Sequence, residues 1–508
     1  MKVINSILVA TMLLGSASLF TSCDDDNVNP NPDPNSEIVW GKEGSLKTVN
    51  KINPTEEFVL GNGDQELVFT GKQKLKKGTY TMKGWIYIKD GAELTLEPGT
   101  VIKGDKNTKA ALIVERGGKL YAKGTAEAPI VFTSAQAPGS RKPGDWGGVI
   151  LCGKASNNNG EQAIEGGPRT KHGGSDNADS SGALSYVRIE FAGYPFQKDQ
   201  EINGLTLGSV GSGTQLDHIQ VSFSNDDSYE WFGGTVNAKY LVAYSGWDDD
   251  FDTDNGFSGK VQYALSIRNS RLADTSQSNS FESDNNSSGS EASPRTSAVF
   301  SNVTFVGPMV DPNFKNDASY INGGAFNPNN GSALGRFQSA MHLRRNTQLN
   351  CFNSLIIGWP VGVIIDNEKG DAQGNASKGL LALNNIFMAN VNSVGSDANK
   401  VYDDVKVTGY ESKKPVFDKS QPSFSSSFFK SQKGNRVEAN ASAFNLGMDN
   451  ISKVNIIPSA GSPLLNTADF THSKLSSGFD KVNYVGAFDG QNNWLNGWTN
   501  FDPQNTKY

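Results

Sequence analysis

Two stretches decide the fold: "IYIKDGAELTLEPGT" (residues 86–100) and "LIVERGGKLYAKGT" (residues 112–125). Each is an apolar–polar alternation, a glycine turn and a second short alternation, with Gly91 answered by Gly117. "PIVFTS" (129–134) and "GDWGGVILCG" (144–153) continue the series. Further on, "YVRIEFAG", "HIQVSFSN", "KYLVAYSG" and "QYALSIRN" begin at Tyr186, His218, Lys239 and Gln262. "FSNVTFVG", "FNSLIIGW" and "LNNIFMAN" follow at Phe300, Phe352 and Leu383, each an apolar residue, then Asn or Ser, then a hydrophobic alternation.

Weak repeats of twenty-odd to thirty-odd residues, built of strands and turns without helical period, mean a solenoid. No single repeat can bury its apolar face; coils stacked about 4.8 Å apart bury one continuous core. Asn and Ser at the strand edges suit polar ladders between coils. The expected fold is therefore all-β, a single right-handed parallel β-helix with loop insertions and end caps. A propeller is the alternative, but its blades of about 40–45 residues exceed these spacings. Composition agrees: 55 glycines, 36% hydrophobic residues and 19% charged residues in 508 describe many short strands, turns and a thin core.

The first residues stand apart from the fold. "MKVINSILVATMLLGSASLFTSC" has one early cation, Lys2, then an apolar run and small residues, the pattern of a secretory signal over residues 1–22. The apolar run is too short to span a bilayer. Its end, "LFTSC", resembles the lipobox of bacterial lipoproteins, in which the cysteine, here Cys23, is lipidated. Phe20 departs from the strictest form of that motif. Several acyl chains give stable anchoring. "CDDDNVNPNPDPNSE" (23–37) cannot build a core and reads as a solvated tether. Its triplet Asp24, Asp25 and Asp26 resembles an export signal for the outer surface of the outer membrane.

The formal net charge is −7, and one unit more negative once Lys2 leaves with the leader. That argues against nucleic acid and against anionic lipid headgroups as partners. Cys152 and Cys351 sit beside apolar runs and read as small buried hydrophobes, although an oxidising compartment would also allow a disulfide. The expected domain plan is an N-terminal cap at 38–80, a β-helix at 81–490 and a C-terminal cap at 491–508. Insertions near 308–335 and 394–443 interrupt the repeats. Trp494, Trp498 and Phe501 are expected to close the last coil, an aromatic sugar platform being the alternative.

"LTLEPGTVIKG", "GDWGGVIL", "NGLTLGSVGSGT", "DDSYEWFGGTVNAKYL", "DDDFDTDNGFSGKVQ", "FESDN" and "GWTNFDPQN" together resemble a group of Bacteroidota surface lipoproteins. Their fold is a right-handed parallel β-helix of the pectin-lyase-like type, and some carry the label "multidrug transporter". The resemblance implies a lipid-anchored outer-membrane protein working beside a TonB-dependent transporter. It supplies no catalytic mechanism.

Chemistry concentrates in "WDDDFDTDNG" (247–256) and its neighbours. Alternation in three successive coils points Tyr229 and Trp231, Phe251 and Thr253, Phe281 and Ser283 to one face. The other face then carries Glu230, Asp250, Asp252, Asp254, Glu282 and Asp284 as a column of carboxylates. Stacked carboxylates must hold a cation, keep protons or lie in water. Oxygen-only donors with flexible spacing suit Ca2+. "DFDTDNG" starts like an EF-hand loop, but Asn255 replaces its glycine and Val261 its bidentate glutamate, so any Ca2+ site belongs to the β-helix.

A later strand, "MHLRRN", offers His342, Arg344 and Arg345 as candidates for a Ca2+-assisted polysaccharide lyase, in which a basic group takes the proton. The G-H-G and R-I-K signatures of the polygalacturonase type are absent, which disfavours hydrolysis by paired aspartates. The four histidines are scattered, and "GSVGSGT" lacks the lysine and helix of a phosphate loop. Without a complete catalytic motif, the favoured function is binding of a glycan or similar nutrient, ahead of lyase activity or a structural, adhesive role.

Overall fold

The computed structural model describes residues 37–40, 57–63, 66–197 and 200–508. The leader, Cys23 and all of the tether but Glu37 lie outside the described residues. The rest is a parallel β-helix. One sheet of 11 strands runs coil by coil from Leu67–Phe69 to Ser393–Ser396, and a second of 16 strands runs beside it. Every pairing between successive coils is parallel, which excludes the antiparallel blades of a propeller.

The larger sheet is two faces joined at an edge. Lys119–Lys123 and Ile130–Ser134, separate strands, pair with the two halves of the single strand Gly182–Glu190. From that coil onward one residue per coil turns the corner in left-handed backbone: Tyr186, His218, Tyr240, Tyr263, Asn302, Asn353 and Asn385, with φ between 49° and 62°. Left-handed backbone costs a non-glycine residue about 1–2 kcal/mol. Here each corner side chain recovers that cost against its neighbours. Tyr186 stacks on His218 at 4.2 Å, His218 on Tyr240 at 4.4 Å and Tyr240 on Tyr263 at 4.8 Å. Above them the aromatic stack becomes an amide ladder, Asn385 Nδ2 donating to Asn353 Oδ1 at 2.7 Å.

The C-terminal segment runs back along this edge as a strap. Asn385 donates to Thr467 O, Asn353 to Asp469 O, Asn302 to Tyr484 O and Gln220 to Asn500 O. Trp494 meets Tyr240 and Trp498 meets His218 edge-on, while Phe501 lies against Tyr244. Arg141 then takes the carbonyls of Pro503 and Thr506. This corrects the expected C-terminal cap and the sugar-platform alternative. Trp494 and Trp498 cover the side of middle coils because those coils present aromatic corners, and Trp498 is fully buried.

The last coil is closed instead by the helix Phe424–Ser431, inside the second insertion. Ser423 caps it by accepting from Ser426 N at 2.9 Å. Phe428 and Phe429 enter the same core as Met388 and Val363. At the other end, the described part of residues 38–80 is coil already, not cap: Leu67–Phe69 pairs with Trp85–Ile88 and Thr79–Met82 with Val101–Gly104. Cys152 and Cys351 are free thiols, both buried.

Asn353 tests the ladder. Its Oδ1 accepts from Asn385 Nδ2 and from Asp469 N at 2.8 Å. Asn353→Ala should lower stability in urea by about 2–3 kcal/mol, through buried groups left unpaired. Asn353→Gly should recover only the backbone share, about 1 kcal/mol. Both variants should speed proteolytic release of the strap; unchanged release would refute the ladder's role in holding it.

Candidate cation site

The register of the 11-stranded sheet sets the site. Strands Leu205–Val210, Tyr229–Gly234, Phe251–Asp254, Phe281–Ser283 and Ser339–Leu343 stack in order. Glu230 lies against Asp252, Asp252 against Glu282 and Glu282 against His342. Their chain neighbours Tyr229, Phe251, Phe281 and Met341 are fully buried in the core. Glu230, Asp252 and Glu282 therefore share one outer face of adjacent coils, as the alternation requires.

The turn before each strand adds a second row. Asp226-Asp227 precedes Tyr229 at the same offset as Asp248-Asp249 precedes Phe251. Asp227 Oδ1 accepts from Asp249 N at 2.8 Å, Asp249 Oδ1 from Asn279 N at 2.5 Å, and Asn279 Oδ1 from Ser339 N at 3.0 Å. Asp227, Asp249 and Asn279 thus each cap the next coil's backbone, and this fixes those two carboxylates. The two rows line a pocket of about 200 Å³ with Glu165, Glu201, Glu282, Gln338, His342, Arg344 and Asn399. A groove of about 620 Å³ adjoins it, sharing Glu201, Asp226, Asp248 and Ser276, with Lys400 on its wall.

Two triads of carboxylate oxygens lie within 4.8 Å of one another: Asp226, Asp227 and Asp248, then Asp227, Glu230 and Asp252. Burial, and after it mutual repulsion, pushes all five, and Asp249 with them, well above the usual carboxylate range. Among the described residues no Lys, Arg or His forms an ion pair with any of the six. Hydrogen bonds satisfy them in part: Asn203 Nδ2 donates to Glu230, and Ser276 Oγ to Asp248 at 2.8 Å.

The upper end of the column is neutralised. Arg344 Nε donates to Asp284 at 2.9 Å and its Nη2 to Glu282, while Arg345 Nη1 donates to Asp284 at 2.6 Å. The two carboxylates hold Arg344 well above its ordinary value against the opposing effect of burial. A guanidinium so held is a charge clamp, not a proton acceptor. His342 Nε2 meets Asp366 at 2.6 Å, and its Nδ1 has no hydrogen-bond partner. Asp254 sits beside this cluster, pushed up to about 8 by burial and by Asp284.

Asp250 does not belong to the set. It precedes its strand, so alternation does not reach it. Its carboxylate is buried against Arg268 Nη1 at 2.8 Å and Ser280 Oγ at 2.9 Å. Of the six expected metal ligands, Glu230 and Asp252 face the unneutralised pocket. Glu282 lines it while paired to Arg344, and Asp254 and Asp284 lie outside its lining. Sequence reasoning missed Asp226, Asp227, Asp248 and Asp249 as residues of the pocket; the repeated Asp-Asp at one offset was the available signal. The donor chemistry fits Ca2+: oxygen ligands, several carboxylates, and the buried, unpartnered Asp252 Oδ1.

A family model described as the pectate-lyase like β-helix domain matches residues 68–427. The chain belongs to that family. The match includes every coil that builds the pocket and the part of the second insertion that carries Asn399. Searches of curated proteins and of solved structures gave no match.

The raised carboxyls predict a pH dependence. A carboxyl whose folded value lies above its unfolded value stabilises fully below about pH 4. That contribution is lost as pH rises through the folded value, which for Asp254 is about 8. In chelator, the melting temperature should fall by at least about 2 °C between acid and mildly alkaline pH. Saturating Ca2+ should abolish the fall. A flat profile in chelator would refute the electrostatic reading.

Proposed function

We propose that the chain binds a divalent cation, Ca2+ by its donor set, in this pocket and presents it to an acidic glycan lying along the adjoining groove. The observation that carries this reading is the group of six buried or half-buried carboxylates that, among the described residues, form no ion pair with a cationic side chain. Two carboxylates about 5 Å apart repel by roughly 3 kcal/mol at an effective dielectric of 20. A dication removes that repulsion and keeps open positions for a ligand carboxylate. Lys400, across the groove, offers a second contact to an anionic chain.

The leader, Cys23 and the acidic triplet support a location on the outer membrane surface by a lipid anchor. There the protein would serve as an accessory binding component for nutrient uptake beside a TonB-dependent transporter. Protease shaving of intact cells should remove it; resistance to shaving would rule out surface exposure.

One observation favours a second reading, lyase chemistry. His342 keeps Nε2 on Asp366 and turns an unpartnered Nδ1 into the pocket, where Glu282 stands 3.7 Å away. A ring nitrogen oriented by a carboxylate at its other side has the geometry of a general base. Arg344 and Arg345 are excluded from that role by their carboxylate partners.

The full chain, stripped by chelator, should bind anionic but not neutral polysaccharides, and only after Ca2+ is restored. Asp252→Asn should weaken binding roughly tenfold or more. Binding that survives chelation, or no binding to any glycan, would overturn the proposal; the second result with a chelator-insensitive melting temperature would leave a structural stalk. Release of an unsaturated uronate, lost in His342→Ala, would turn the binder into a lyase.

A further inference from the structure

We infer that the pocket holds two cations joined through Asp227, an extension that rests on the cation reading above. Ca2+ takes its oxygens at about 2.3–2.6 Å, so ligand atoms on one ion lie within roughly 5 Å of each other. Each triad meets that limit by itself, one through Asp226 and Asp248, the other through Glu230 and Asp252. No mutually close set contains all five carboxylates; only Asp227 belongs to both triads. One ion placed for either triad leaves the other pair of carboxylates uncompensated.

Other side chains point independently to ligands. Gln338 is fully buried and lines the pocket, yet neither its Oε1 nor its Nε2 has a hydrogen-bond partner. His342, 1% exposed, lines the same space, and its Nδ1 makes no hydrogen bond. Buried amides and imidazoles are normally satisfied. The triads repeat the signal, since Asp248 Oδ1 in one and Asp252 Oδ1 in the other are both without a partner. Asp227 can bridge while keeping its structural bond. Its Oδ1 accepts from Asp249 N, and a carboxylate carries about four lone-pair sites.

Equilibrium dialysis of the full chelator-stripped chain against Ca2+ at neutral pH decides the stoichiometry. Two ions per chain are expected. Asp248→Asn and Asp252→Asn should each leave one, and Asp227→Asn should weaken both by roughly tenfold or more. Asparagine keeps the Oδ1 acceptor, and circular dichroism in chelator should confirm that each variant folds. Mn2+ loaded in place of Ca2+ gives a readout free of mutation: two ions sharing a carboxylate show an exchange-coupled EPR spectrum. One ion per chain, or the spectrum of isolated Mn2+, would overturn the bridged pair while leaving the cation reading intact. No bound ion would overturn both.

Discussion

In a parallel solenoid every residue stands directly over its counterpart in the next coil, about 4.8 Å away. That single constraint makes like meet like along the whole molecule. Where the repeated residue is aromatic, the result is the stack Tyr186, His218, Tyr240 and Tyr263. Where it is asparagine, the result is a polar ladder in which Asn385 donates to Asn353 and Asn353 to the Ser301 hydroxyl. Where it is acidic, the same geometry gives repulsion. Along the column Glu230, Asp252 and Glu282, as along the acidic turn row beside it, the fold works against itself. That cost must be met by protons, by counter-charge or by a ligand.

The rigid edge and the acidic face depend on each other through the coils they share. The strand Tyr229–Gly234 carries Glu230 outward and Tyr229 inward, and the Tyr229 hydroxyl donates to Ile219 O and Val242 O in the coils of the aromatic edge. The strap covers that edge and satisfies its amides. Coils held in fixed register on one side cannot slide to relieve repulsion on the other. The insertions then complete the site: residues 308–335 bring Asn330 to Asn225 beside Asp226, and residues 394–443 bring Asn399 and Lys400.

What the sequence disclosed follows from periodicity. Alternation within strands placed Glu230, Asp252 and Glu282 on one face, and the spacing of apolar runs placed those strands in successive coils. Turns carry no period. Asp226, Asp227, Asp248 and Asp249 therefore stayed outside the expected ligand set, while Asp250, next to a strand but not in it, was wrongly extended into it. The clamp on Glu282 was hidden for another reason. Arg344 is 62 residues further along, and the insertion between them obscures the coil length. Likewise, the tryptophans of the last segment read as a cap because nothing local to them reveals the aromatic corners, some 250–310 residues earlier, that they cover.

The clamp also limits where a cation can act. Arg344 and Arg345 neutralise Glu282 and Asp284, so the column does not attract positive charge evenly. Attraction is confined to its lower end, where the strand row and the turn row converge on Asp227. There Asp227 and Asp249 are held by backbone amides of the next coil, not by flexible cations. A ligand carboxylate drawn to an ion at that point would approach with Arg344 at the upper wall and Lys400 along the groove. Positive groups thus stand at the rim and negative ones at the floor, the order required for a site that takes a cation first and an anion through it.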